Sequence, residues 1–148
     1  MVRVQARSGK PKRLSYFFMA TKPTRRHVSS RSAANGAALR TPFVAPHAPE
    51  RCAASPTGQQ WFPLTMRDPE ERWRGCVAAR PTLDAFLDAE LAKRGFDERA
   101  LALVGFSQGT MMALHTGLRR KSAPRAILGY SGIYVLGPTQ PGEEPTGQ

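Results

Sequence analysis

LALVGFSQGTMMALH, residues Leu101 to His115, is the stretch that decides how this chain folds. Leu101–Val104 is an unbroken apolar run of strand length, as expected for a central parallel strand buried on both faces. From Thr110 to Arg120 the pattern turns helical, with Met111, Leu114 and Leu118 three and four apart. Between them lies Gly105-Phe106-Ser107-Gln108-Gly109. A strand that turns this abruptly into a helix needs residues without Cβ atoms on either side of the turn. The turn holds Ser107 in a strained conformation with its hydroxyl projecting from the sheet. The next N–H, that of Gln108, then points from a helix N-terminus toward developing negative charge. This is the arrangement of a nucleophile elbow, and it makes Ser107 the candidate nucleophile and Gln108 the candidate oxyanion donor.

Working outward, Ala126–Tyr130 (AILGY) predicts the next strand. Gly129-Tyr130-Ser131-Gly132 is not a second elbow, because it lacks the closing glycine, and Ser131 reads as a strand-end residue. From Gly137 to Gln148 the chain is rich in Pro, Gly and Glu, which predicts a disordered tail. Upstream, Asp68-Pro69-Glu70-Glu71 carries helix-start signals: an N-cap, proline at N1, then acids. That helix should run to about Ala79, with Pro81 interrupting or restarting it. Leu83, Phe86, Leu87 and Leu91 share one helical face, and Gly95 is a natural stop. Phe43-Val44-Ala45 reads as a short strand, and residues 46–60 as a loop that leads to the aromatic cluster Trp61-Phe62-Pro63-Leu64. Strand, helix, strand, helix, strand is the alternation of an α/β fold with a parallel sheet.

Charge divides the chain unevenly. Residues 1–40 hold ten Lys or Arg and no acid, so they carry +10 of the net +11. The reading is three-part: a basic, irregular arm over 1–41, a partial α/β domain over 42–136, and the tail over 137–148. The run Leu14–Ala20 (LSYFFMA) is too short to span a membrane. Cys52 and Cys76 are too few for a disulfide framework or a metal cluster and read as free thiols in a reducing cytoplasm. No metal site and no cofactor motif is expected.

FVAPHAPE (43–50), GQQWFPL (58–64), LDAFLDAELAKRG (83–95), LALVGFSQGTMMALH (101–115) and AILGYSG (126–132) resemble the bacterial phospholipase/carboxylesterase family, which includes acyl-protein-thioesterase-like enzymes. The resemblance implies an α/β-hydrolase fold, here partial. It implies ester or thioester hydrolysis through Ser, Asp and His without a cofactor, on a small-molecule ester or acyl substrate. It also implies roles for Ser107 as nucleophile, Gln108 as oxyanion donor, and Trp61 and Phe62 as part of the acyl pocket wall. Taken alone, that aromatic pair reads as ordinary packing.

The family's remaining parts are not found. After Ser107 there is no Asp, the only acids are Glu143 and Glu144, and the only histidine is His115. Eight residues of helix place His115 about 12 Å along the axis from Ser107, so it reads as a packing residue. His47 is the first alternative as base, and no His-Gly loop for a second oxyanion donor occurs in residues 1–41. The chain therefore reads as a truncated member with impaired catalysis. The competing readings are an inactive fragment or interaction module, and a basic arm that holds nucleic acid non-specifically or serves as a transit segment.

Overall fold

The structure is a computed structural model that describes residues 14–19, 43–52 and 58–137. Four parallel strands form the main sheet in the order β2-β1-β5-β6, with β1 Leu14–Met19, β2 Phe43–Val44, β5 Leu101–Phe106 and β6 Ala126–Tyr130. A short antiparallel ladder pairs β3 Glu50–Arg51 with β4 Gln59–Gln60. Two helices complete the fold: α1 Glu71–Arg94 and α2 Gln108–Gly117.

β1 corrects the sequence reading. Leu14–Met19 lies within the stretch read as an irregular arm, yet it pairs along all six residues with Leu101–Phe106. The elbow strand thus has a neighbour on each side, β1 and β6. The pairing joins residues 87 positions apart, which no local pattern reveals. The rest of residues 1–41 lies outside the described residues, as do 138–148.

Each face of β5 has a different cover. Leu101, Leu103 and Gly105 are buried, whereas Ala102 and Val104 are half-buried and Phe106 is exposed. Burial on both faces, expected from the apolar run, is complete only on the α2 side. There Gly117 sits so close that a Cβ would meet Ile127 at 2.6 Å and Leu103 at 2.9 Å. In α2 the expected stripe of Met111, Leu114 and Leu118 is only half-buried. Thr110, Ala113 and Gly117 are buried, and so are Met112, His115 and Thr116. A helix packed against both a sheet and a second helix has no single apolar stripe.

Pro81 neither ends nor restarts α1, which runs unbroken for 24 residues. A proline inside a helix costs about 3 kcal/mol through a lost hydrogen bond and a clash. Here Pro81 is exposed, and buried residues flank it on one stripe: Trp73, Cys76 and Ala79 before it, Leu83, Leu87 and Leu91 after it. Burial of those six side chains outweighs the break. The helix starts slightly later than expected, at Glu71, although the Asp68 carboxylate does accept the Glu70 N–H at 2.8 Å. Its end is as expected: Gly95 is left-handed (φ 65°), its N–H reaches Ala92 O, and the Phe96 N–H reaches Leu91 O.

An ionic knot fastens α1 to the end of α2. The Arg120 side chain is 6% exposed and donates to Asp84 at 2.7 Å, to Asp88, and to Glu98 at 3.4 Å. Asp84 also accepts from Arg80 at 3.1 Å, and Arg80 donates to the Arg119 carbonyl at 2.9 Å. Beyond β6, Val135 is buried, and Gly137, expected to open the tail, packs against the Trp73 indole. Cys52 and Cys76 are both free, as expected, and burial pushes the Cys76 thiol up to about 12, leaving it inert.

Candidate active site

β5 ends at Phe106, and Ser107 takes φ 53°, ψ −119° before α2 begins at Gln108. A non-glycine residue in such a region costs roughly 1–3 kcal/mol and persists only where its surroundings impose it. Several contacts impose it here. The Ser107 N–H donates to Tyr130 O at 2.8 Å, and Ser107 O accepts from the Thr110 N–H at 2.9 Å. At Gly105 a Cβ would lie 2.4 Å from Gly109 O and 2.5 Å from Thr110 N, so strand and helix meet backbone to backbone. Ser107 itself is half-buried.

Two supports of the elbow escaped the sequence reading. Thr110 Oγ1 donates to Tyr130 O at 2.9 Å and accepts from the Tyr130 N–H at 3.0 Å, which ties α2 to the end of β6. Gly132 lies against the same point, since a Cβ there would be 2.6 Å from Ser107 O and 2.4 Å from Thr110 Cβ. The segment after Gly129 is therefore a wall of the elbow, and Ser131 enters it at φ 50°. The small residues of GYSG were the available signal.

Gln108 is 5% exposed, and its carboxamide turns away from solvent. Its Oε1 accepts the Trp61 N–H at 2.8 Å, and its Nε2 donates to Phe62 O at 2.7 Å. Trp61 and Phe62 thus join the elbow through their backbones. Their side chains are core, at 2% and 3% exposed. The Phe62 ring lies on Gly75 of α1, where a Cβ would be 2.3 Å from it. Both aromatics border a cleft of about 480 Å³ together with Pro49, Glu50, Arg74 and Gly75, and Ser107 is not among its lining residues.

The structure describes two of the three histidines, His47 and His115. His47 is exposed in the loop after β2, and no hydrogen bond joins it to Ser107 among the described residues. His115 is fully buried two turns along α2, edge-on to Trp73 at 5.2 Å. Burial, reinforced by the charges of Arg119 and Arg80, pushes its imidazole down to about 4 from an ordinary 6.5. The unfolded chain takes up this proton near pH 6.5, whereas the native chain resists it until about pH 4. The stabilisation is therefore complete above pH 6.5 and is lost as pH falls toward 4, by about 2–3 kcal/mol. Urea midpoints at pH 7.5 and 4.5 should show this loss, and His115→Gln should show a smaller one. Equal losses in both proteins would contradict a neutral, buried His115.

Among the described residues no three His, Cys, Asp or Glu side chains cluster as a metal site, and no helix is long and apolar enough to cross a membrane.

Residues 25–146 match the sequence model of the phospholipase/carboxylesterase family. The chain belongs to the phospholipase/carboxylesterase family. Among solved structures, esterase PE8 is 37% identical, with a TM-score of 0.72 over 88% of this chain and 62% of its own. Arabidopsis thaliana SOBER1 is 16% identical (TM-score 0.61) over 86% of this chain and 64% of its own. A phospholipase/carboxylesterase from Dyadobacter fermentans is 15% identical (TM-score 0.52) over 83% of this chain and 55% of its own. The last two show the shared fold alone. The chain thus spans less than two thirds of the length of each of these structures. The family match begins inside the stretch read as arm and extends into the stretch read as tail. The fold is of the α/β-hydrolase type, here partial.

Proposed function

We propose that this family member acts on carboxylic esters or thioesters with Ser107 as nucleophile. The observation that carries this reading is the backbone of Ser107, strained at φ 53° between β5 and the first residue of α2. In the proposed reaction Ser107 Oγ attacks the acyl carbonyl carbon and its proton passes to a base. The tetrahedral oxyanion is held by the Gln108 N–H at the helix N-terminus. Collapse expels the alcohol or thiol, which takes up a proton, and water then hydrolyses the acyl-serine ester. Trp61 and Phe62, which border the cleft, serve in this reading as part of the acyl pocket wall.

Among the described residues no histidine is hydrogen-bonded to Ser107. His115 is buried beside Trp73 and His47 is unattached to Ser107, so acylation by the isolated chain should be slow. A fluorophosphonate probe, which traps an elbow serine covalently, is expected to label the wild type slowly and Ser107→Ala not at all. Turnover of short-chain p-nitrophenyl esters should be barely above background. Absent labelling of the wild type would favour the second reading, a catalytically silent module. The withdrawal of His115 into the core is the observation that favours it.

A further inference from the structure

We propose that Gln108 is a positioning residue whose side chain couples the aromatic loop to the elbow. The inference rests on the proposed role of its backbone N–H as oxyanion donor, and it concerns the carboxamide, for which that role has no use.

The carboxamide meets two backbone groups that lie 46 and 47 residues earlier in the chain, Phe62 O and Trp61 N. Both hydrogen bonds are buried. A primary amide suits this pair because it is uncharged and carries a donor and an acceptor side by side. A carboxylate would accept from Trp61 N–H but repel Phe62 O. An aliphatic side chain would leave two buried backbone groups unpaired.

The chain of contacts is continuous. Gly75 of α1 lets the Phe62 ring lie directly on the helix. The Phe62 and Trp61 backbone then grips the carboxamide, and the carboxamide restrains the residue whose peptide follows Ser107. The loop seated on α1 therefore fixes the direction of the Gln108 N–H. Thr110 and Gly132 restrain the elbow from the β6 side, and Gln108 restrains it from the other.

Amide hydrogen exchange on the full chain tests this coupling, with rates compared with wild type at the same pH. In Gln108→Met, amides of 58–64 and of 107–110 should exchange about thirty-fold faster together, as expected for the loss of two hydrogen bonds. Gln108→Glu should match wild type at pH 5, where a protonated carboxyl can donate to Phe62 O. At pH 8 it should exchange like the Met variant. Acceleration confined to 58–64 overturns the proposal, and so does a Glu variant whose ratio to wild type ignores pH. Should Gln108→Met fail to fold, the pH pair on Gln108→Glu decides alone. Where wild type is labelled by the fluorophosphonate, the labelling ratio of Gln108→Glu should follow the same pH course, and an unchanged ratio counts against positioning. A wild type that resists labelling refutes the proposed hydrolase chemistry, while the exchange result still decides the coupling.

Discussion

Gly105→Ala is expected to destabilise the protein by about 3 kcal/mol or more, at or beyond the upper end of the usual cost of overpacking. The added Cβ would stand 2.4–2.5 Å from Gly109 O, Gly109 C and Thr110 N. All three are backbone atoms, so no rotamer change relieves the contact. The start of α2 would have to lift from β5. That movement pulls Thr110 Oγ1 from Tyr130 and Gln108 from the Trp61–Phe62 backbone. Gly95→Ala is the comparison. Gly95 has φ 65° but nothing within 4 Å of a new Cβ, so only the left-handed backbone penalty of about 1–2 kcal/mol applies. Urea unfolding of both variants measures the difference. If Gly105→Ala costs no more than Gly95→Ala, strand and helix do not meet as described, and the elbow geometry is wrong.

Arg120→Met is expected to cost about 2–4 kcal/mol. The guanidinium is buried and contacts Asp84, Asp88 and Glu98, so its removal leaves several carboxylates facing one another across α1 and the turn before β5. The penalty falls short of that for a fully buried ion pair because Asp88 is 64% exposed and water can take it over. Arg120→Lys should recover only part of the loss, since a single ammonium cannot fan out to three carboxylates as a guanidinium does. Chemical denaturation at low and high salt checks both claims. A wild-type stability for Arg120→Met would mean that the Arg120 ion pairs are not what holds α1 to the end of α2.

The sequence by itself determined the features whose causes are local. Four apolar residues make a buried strand wherever they are placed centrally, and glycines two before and two after Ser107 announce a sharp turn, which at Gly105 has no room for a Cβ. Gly95 ends α1 because its own backbone can turn left-handed. The family resemblance was equally legible, since LVGFSQG carries it in seven adjacent residues. Tertiary structure decided the rest. LSYFFM becomes a strand because its partner, Leu101–Phe106, offers a parallel ladder from far along the chain, while its basic surroundings point to an arm. Pro81 stays inside a helix because six buried side chains outweigh one missing N–H. Gln108 reads from sequence as a backbone donor, and only the folded chain brings its carboxamide to Trp61 and Phe62. Periodicity and turn chemistry act over a few residues and are written in adjacent letters. Pairing and burial join residues that the chain separates, so their energies exist only once the chain has closed on itself.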